Sequence, residues 1–431
     1  MRIGIAGLGT VGGGVVKMLA RRKAALEAAT GRAIEIAAVC ARDRTRDRGI
    51  DLGAARWFDN PVEMARAGTL DGGGLDVIVE LIGGAEGVAK ATVEAALAAG
   101  RHVVTANKAL IAHHGTALAR AAEAAGVALN YEAAVAGGIP IVRTLREALG
   151  GNDISTVTGI LNGTCNYILT EMETTGGSFA DILARAQALG YAEADPSFDI
   201  GGVDAAHKLA ILASLAFGTE IDFDHVLIEG IEKIGGIDIK FAQEFGYRIK
   251  LLAIARRTAE GIEQRVQPAL IPESSPLAAV AGVFNAVCVT GDPIGSVVLE
   301  GEGAGEGPTA SAVVGDLMDI ARGACVPPLG VPAALLRPLV ALPAERHQGA
   351  YYLRLNAADR AGSMAAITRD LADADVSFER IVQRGQAGDG RRPVVFITHE
   401  TSEGTMRRAL DLLLEHEDVA GTPLMLRIEG D

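Results

Sequence analysis

Cysteine is scarce in this chain. Its 431 residues include four cysteines, Cys40, Cys165, Cys288 and Cys325, all far apart. There is no C-x-x-C pair and no Cys/His cluster, which argues against a zinc site and against a disulfide framework. Lysine and arginine form no block, and the net charge is -14, so neither a nucleic-acid partner nor a membrane-surface partner is expected. That balance does not exclude anionic small ligands, which backbone N–H groups can hold locally. No apolar run reaches the length needed to span a membrane. The apolar start at Ile3 runs straight into a glycine loop instead of a secretory leader, and a cytoplasmic location is expected. The histidines are scattered outside any motif, and no G-x-S-x-G or other nucleophile–base signature appears.

What is present is an ordinary globular composition, 49% apolar and 22% charged, in a chain long enough for two or three domains. Residues 1–150 alternate strands and helices. The expected strands are Arg2–Ala6, Ile34–Cys40, Asp76–Ile82, His102–Thr105 and Val127–Tyr131. The expected helices are Val11–Ala29, Ala89–Ala99 and Leu110–Ala125. Such alternation predicts a parallel sheet covered on both faces, an α/β Rossmann-type domain. Residues 151–325 mix helices with longer alternating strands and predict an α+β domain, whose strand order the sequence does not give. The proline-rich stretch 326–348 predicts a linker. Residues 349–431 follow a β-α-β-β-α-β order, the ferredoxin-like pattern, with Gln386–Arg392 as its middle turn.

Gly7-Leu-Gly9-Thr10-Val11-Gly12 sits between the first strand and the first helix. In that setting the glycines allow a tight turn and a close approach of a pyrophosphate to the helix N-terminus. The second strand ends in Cys40-Ala-Arg42-Asp43-Arg44. Arginine there suits the 2′-phosphate of NADP and a carboxylate suits the ribose of NAD, so the choice stays open. Lys108 lies just past a strand end, on the edge where open α/β sheets bind ligands. Glu132, ahead of the small-residue run Val135-Ala-Gly137-Gly-Ile139, offers oxygen atoms to a hard cation, or is part of a plain glycine turn. A second glycine loop, Gly301–Gly305, has no evident strand before it. The stretch from Glu193 to Lys208 packs Glu193, Asp195, Asp199 and Asp204 ahead of an apolar helix. It fits either an acidic turn with an Asp/Lys pair capping the helix, or a lysine set to move protons from low-dielectric surroundings.

Taken together, these segments resemble the homoserine dehydrogenases over nearly the whole chain. The carriers are GLGTVGGGV at 7–15, VELIGG at 79–84, VTANKAL at 104–110, EAAVAGGIPI at 132–141, GILNGTCNYIL at 159–169, GYAEADPSFDIGGVDAAHKLAIL at 190–212, IKLLAIA at 249–255 and GAGEGPTASAVVGD at 303–316. Two loops, Gly83–Val88 and Gly301–Gly303, lack a proline common in relatives. The resemblance implies reversible conversion of L-homoserine and L-aspartate 4-semialdehyde with NADP or NAD. It implies Lys208 as proton donor and acceptor, Asp204 as its partner, Lys108 as a second active-site lysine, and Glu193 and Asp199 as substrate carboxylates. Gly7, Gly9, Thr10, Val11, Gly12, Arg42, Lys108, Gly190 and Gly303 become expected cofactor contacts. Glu132 with the carbonyls of Val135, Gly137 and Ile139 becomes an expected sodium, or similar monovalent cation, site. The C-terminal unit resembles an ACT domain, with Asp359–Ser363 as its ligand loop. That implies threonine as an allosteric ligand and a homodimer or homotetramer. The alternatives are a dehydrogenase of another amino acid and an inactive amino-acid sensor. Asp195, beside Pro196, is expected only to shape its turn.

Overall fold

The fold is that of a computed structural model describing residues 1–70, 72–384 and 390–430. The chain opens with β1 (Arg2–Ala6), α1 (Thr10–Thr30), β2 (Glu35–Cys40), β3 (Arg56–Phe58), α2 (Pro61–Arg66) and β4 (Val77–Glu80). There follow α3 (Val88–Ala98), β5 (His102–Thr105), α4 (Lys108–Ala125), β6 (Leu129–Asn130) and a single helical turn, α5 (Ile141–Arg143). The middle of the chain contains β7 (Asp153–Ile160), α6 (Gly163–Thr175), α7 (Phe179–Ala188), α8 (Ser197–Ile200), α9 (Val203–Phe217), β8 (Leu227–Ile228) and α10 (Gly236–Glu244). Next come β9 (Tyr247–Arg257), β10 (Ile262–Pro272), β11 (Phe284–Asp292), β12 (Gly295–Glu302) and α11 (Glu306–Ala321). The last elements are β13 (Gln348–Ala358), α12 (Ser363–Asp373), β14 (Phe378–Gln383), β15 (Arg391–Thr398), β16 (Thr401–Ser402), α13 (Glu403–Glu415) and β17 (Val419–Ile428).

These elements gather into two compact units, each drawn from three stretches. The first unit is Met1–Gly163, Asp204–Val226 and Val283–Leu339; the second is Thr164–Val203, Leu227–Gly282 and Val340–Asp431.

In the first unit, six strands pair in the order β3-β2-β1-β4-β5-β6, every pair parallel. The order reverses between β1 and β4. That switch point opens a crevice at the carboxyl ends of the strands, where ligands of such sheets bind. Ile3 and Ile5 of β1 share a core with Val15, Val16 and Leu19 of α1 and with Val313, Val314 and Leu317 of α11. Each such burial contributes about 1.5–3 kcal/mol. Three more strands, β7, β11 and β12, pair antiparallel. The proline-rich stretch is anchored here too. The Tyr131 hydroxyl donates to the Pro328 carbonyl at 2.6 Å, and the Ala333 N–H to the Glu123 carboxylate at 2.9 Å.

In the second unit, β9 and β10 pair antiparallel over eleven residues, and β10 pairs parallel with β17. Then β17, β13, β15 and β14 follow as antiparallel neighbours. The strands β13, β14, β15 and β17 thus show the ferredoxin-like sheet order, with α12 and α13 on a core that includes Tyr351, Leu355, Ile367, Phe396, Met406 and Leu413. Buried ion pairs fasten this segment to its neighbours within the unit. Arg427 holds Glu403 at 2.7 Å and Glu229 at 3.0 Å. Arg265 holds Glu429 at 2.7 Å, and Asp238 holds Arg354 at 2.6 Å and the Tyr352 hydroxyl at 2.8 Å.

Several elements depart from the sequence expectations. The expected strand Asp76–Ile82 stops at Glu80, because the Glu80 carboxylate turns back to accept the Ile82 and Gly83 N–H groups at 2.7 and 3.2 Å. The expected strand Val127–Tyr131 keeps only Leu129–Asn130. The unforeseen elements include the short β3, α2 and α8, the helix α10, and β12, whose glycines and glutamates mask its alternation. Part of the expected turn Gln386–Arg392 lies outside the described residues, and Arg391 and Arg392 already belong to β15.

Candidate active site

The glycine loop between β1 and α1 is shaped by contacts that leave no room for a side chain at Gly7 or Gly12. A Cβ at Gly12 would lie 2.1 Å from the Gly7 carbonyl oxygen, and one at Gly7, whose φ is +107°, 2.5 Å from the Leu81 carbonyl oxygen. A Cβ at Gly9 would meet nothing, and Gly9 caps α1 without a side-chain bond. The first-turn N–H groups, near Thr10 and Val11, therefore lack both intrahelical partners and a cap. Together with the helix dipole they suit a phosphate.

The turn after β2 is closed by its own carboxylate. The Asp43 carboxylate accepts the Thr45 N–H at 2.8 Å, the Thr45 hydroxyl at 2.7 Å and the Arg46 N–H at 3.2 Å. These bonds, the Thr45 hydroxyl first, hold its carboxyl below the usual range. Arg42 and Arg44 are exposed. Arg48, which sequence reasoning missed, donates to the Leu8 carbonyl at 3.0 Å inside the glycine loop and to the Asp43 carbonyl at 2.5 Å. Its signal was the alternation of arginine through 42, 44, 46 and 48.

A cluster of charge in the first unit is built on α4 and α9. Asn107 caps α4 by accepting the Leu110 N–H at 3.1 Å, and its amide donates to the Gly84 carbonyl at 2.7 Å. Thr105 holds the Asn107 N–H at 3.0 Å and donates to Glu80 at 2.6 Å. This chain of bonds fixes Lys108, the first residue of α4, at the carboxyl end of β5. From there the Lys108 Nζ reaches Asp204 Oδ1 at 2.8 Å. On the other oxygen, Asp204 Oδ2 receives Lys208 Nζ at 2.7 Å and the Asn162 amide at 2.9 Å. Lys208 Nζ also donates to the Leu161 carbonyl at 2.7 Å. Asp204 and Lys208 are buried. Burial alone would push the Asp204 carboxyl up; the charges and hydrogen bonds of Lys208 and Lys108 outweigh it and hold it far below the carboxylate range. Lys108, Asp204 and Lys208 thus meet in one cluster.

The other expected residues are placed separately. Glu193 and Asp199 belong to the second unit. Glu193 is exposed after α7, its carbonyl accepting from the Gln187 amide at 3.0 Å; Asp199 lies in α8, its carbonyl accepting from the Cys165 thiol at 3.2 Å. Asp195 accepts the Ser197 N–H at 3.1 Å and closes its turn. Gly190 follows the end of α7 with φ +77°. The loop at Gly303 does have a strand before it, β12, contrary to expectation. It packs on the loop after Glu132: the Gly138 N–H donates to the Glu302 carbonyl at 2.9 Å.

Glu132 is buried, and its carboxylate accepts the Val142 and Arg143 N–H groups of α5 at 2.9 and 2.8 Å. Its own N–H donates to Asp316 at 2.9 Å. Burial first, then the Glu132 charge, pushes the Asp316 carboxyl up to about 8. Between Val135 and Ile139 the backbone turns through positive φ at Ala136 and Gly137. Among the described residues no hydrogen bond reaches the carbonyl oxygens of Val135 and Gly137.

Two histidines also meet beside this cluster. The Nε2 atoms of His113 on α4 and His207 on α9 are 3.1 Å apart. The His207 ring stacks on Phe223 with centroids 4.4 Å apart. Histidine spacing gave no hint of this, since the pair is 94 residues apart.

Comparison with known proteins gives a consistent family. A family model described as homoserine dehydrogenase matches residues 140–318, and one described as homoserine dehydrogenase, NAD binding domain, matches residues 7–132. The homoserine dehydrogenase of Neisseria gonorrhoeae is 44% identical over 437 residues, covering 100% of this chain and 99% of its own. A crystal structure of a homoserine dehydrogenase from Thiobacillus denitrificans is 44% identical with a TM-score of 0.92, over 100% of this chain and 98% of the other. A hyperthermophilic archaeal homoserine dehydrogenase in complex with NADPH is 26% identical with a TM-score of 0.64, over 75% of this chain and 98% of the other.

Burial, then the neighbouring His113, holds the His207 imidazole down to about 4, against about 6.5 in an unfolded chain. The unfolded state therefore binds the extra proton first as pH falls. Stability is full above about pH 6.5 and lost toward pH 4, by up to about 3 kcal/mol from this group. Urea unfolding of wild type and His207→Phe across pH 7 to 4 checks it: the wild-type curve is expected to fall more steeply, and parallel curves would contradict the assignment.

Proposed function

The chain belongs to the homoserine dehydrogenase family, and on that premise we propose which residues carry its reaction. The activity is the reversible, nicotinamide-dependent interconversion of L-homoserine and L-aspartate 4-semialdehyde, in amino-acid biosynthesis. The observation that carries the assignment of roles is the single buried carboxylate, Asp204, held by two lysines.

The nicotinamide, when bound, supplies or accepts the hydride. As an aldehyde is reduced, negative charge develops on its oxygen. Lys208 donates a proton to that oxygen and, in the reverse direction, takes the hydroxyl proton back. Asp204 fixes the direction of the Lys208 ammonium, and Lys108 places a second positive charge beside the reacting oxygen and the nicotinamide. Glu193 and Asp199 hold the α-ammonium and the hydroxyl of homoserine. Gly7, Gly9, Thr10, Val11 and Gly12 cradle the cofactor pyrophosphate, and Gly190 and Gly303 add contacts. NADP is the preferred cofactor in this reading. The Asp43 carboxylate is committed to its own turn, which leaves the Arg42 side of that turn for a 2′-phosphate.

Glu132 and the carbonyls of Val135, Gly137 and Ile139 suit sodium or a similar monovalent cation. Two of those carbonyls accept no hydrogen bond among the described residues, and Glu132 would add its charge while its carboxylate caps α5. Such an ion would hold the loop that packs on Gly303.

The proposed division is an NAD(P)-binding domain at 1–150, a catalytic domain at 151–325, a linker at 326–348 and an ACT domain at 349–431. The ferredoxin-like strand order and the loop Asp359–Ser363 between β13 and α12 support the last. Threonine is its proposed ligand, and a homodimer or homotetramer the proposed assembly. Among the described residues no helix is long and apolar enough to cross a membrane, and the proposed location is the cytoplasm.

Lys208→Ala is expected to lower kcat for homoserine oxidation about a thousandfold, with NADPH binding by fluorescence nearly unchanged. Near-wild-type turnover would show that another group moves the proton. For regulation the intact enzyme is the right subject, because deleting the last domain would strip β17 from β10. Threonine is expected to inhibit wild type and to inhibit Asp359→Ala at least about tenfold more weakly, a loss of about 1.4 kcal/mol in binding. Equal inhibition of both, or none of the wild type, would remove threonine sensing from this loop.

A further inference from the structure

The two lysines of the site stand on two different helices, and a salt bridge joins those helices. Lys108 begins α4 and Asp204 lies in the first turn of α9, and their bridge is 2.8 Å long. Packing of the buried stretch Asp204–Leu215 holds α9 in place coarsely; the bridge adds a distance between the helices but does not fix the last few degrees of roll. A roll of α9 would swing Lys208, which follows Asp204 by a full turn, away from the reacting atoms. Displacements of about 1 Å at a reacting group can cost about a hundredfold in rate.

A second link joins the same helices. His113, five residues along α4 from Lys108, places its Nε2 3.1 Å from the Nε2 of His207, the residue before Lys208. One ring must donate and the other accept, so the bond has a direction and an angle as well as a length. Phe223 closes the arrangement. It stacks on His207 at 15° with centroids 4.4 Å apart and meets His113 edge-on at 4.7 Å. The His207 ring is buried, so its orientation is fixed by packing and by this partner.

We propose that the His113–His207 hydrogen bond is a positioning link that fixes the roll of α9 against α4 and so sets the separation of Lys108 and Lys208 across Asp204. Neither histidine is placed on substrate or cofactor; both act through the lysines. The inference rests on the roles given above to Lys108, Asp204 and Lys208.

The test compares full-length variants in homoserine oxidation with NADP. His113→Leu removes the bond at an exposed position; His113→Gln keeps a side-chain amide that can bond His207; His207→Phe keeps the stack on Phe223 and removes the bond. The link predicts that His113→Leu and His207→Phe each lower kcat about tenfold while KM for NADP stays within about twofold. It predicts that His113→Gln recovers most of the loss. The double variant should be no slower than the slower single variant, because the two changes break one interaction. The proposal is overturned if kcat stays within about twofold in both single variants, if the losses multiply, or if His113→Gln is as slow as His113→Leu. Lys208→Ala, assayed beside them, separates the two levels. An inactive Lys208→Ala with fast histidine variants removes the link alone, whereas an active Lys208→Ala removes the reading beneath it.

Discussion

Two ammonium groups share one buried carboxylate in this protein. Each oxygen of Asp204 takes a different lysine, Oδ1 from Lys108 at 2.8 Å and Oδ2 from Lys208 at 2.7 Å. Removing Asp204 leaves the buried Lys208 ammonium without its carboxylate, and breaking a buried pair in this way typically costs about 3–5 kcal/mol. The surrounding bonds serve this arrangement. Glu80, Thr105 and Asn107 form the chain that starts α4 at Lys108. Asn162 and the Leu161 carbonyl, at the end of β7, complete the donors and acceptors around Asp204 and Lys208. The parallel sheet matters to the chemistry because it ends β1, β4 and β5 on the edge where this cluster and the glycine loop begin.

Much of this was legible before any coordinates. Gly7, Gly9 and Gly12 after an apolar strand imposed one reading, since the turn tolerates no Cβ at two of the three positions. The i,i+4 spacing of Asp204 and Lys208 predicted their contact directly. Other features depend on distance in space and leave no local pattern. The sequence separations of 94 from His113 to His207 and 184 from Glu132 to Asp316 hide both pairs from any motif. The strand β12 escaped because its last residues, Gly301 and Glu302, read as the start of a glycine loop, while its pairing with β11 made it a strand. Asp43 was ambiguous for a different reason: only the fold shows that its carboxylate binds its own turn.

The second unit raises a separate question of how a C-terminal segment bears on catalysis. Its four strands are not appended through a flexible tether to the strands they adjoin. β17 pairs with β10, and the buried Arg427 joins Glu403 of α13 to Glu229 beside β8. Two residues on, the Ile231 N–H donates to the carbonyl of Ile200, next to Asp199. Within one unit, then, the proposed sensing segment and a proposed substrate carboxylate belong to the same bonded framework.

The central claim is that one carboxylate holds both lysines in working order. The most direct measurement is the steady-state rate of homoserine oxidation by Asp204→Asn, with NADPH affinity measured on the same sample. The amide keeps the shape and removes the charge that pairs the two ammonium groups. The expected result is a fall in kcat of about a hundredfold or more, at nearly unchanged cofactor affinity. A kcat within about threefold of wild type would contradict it.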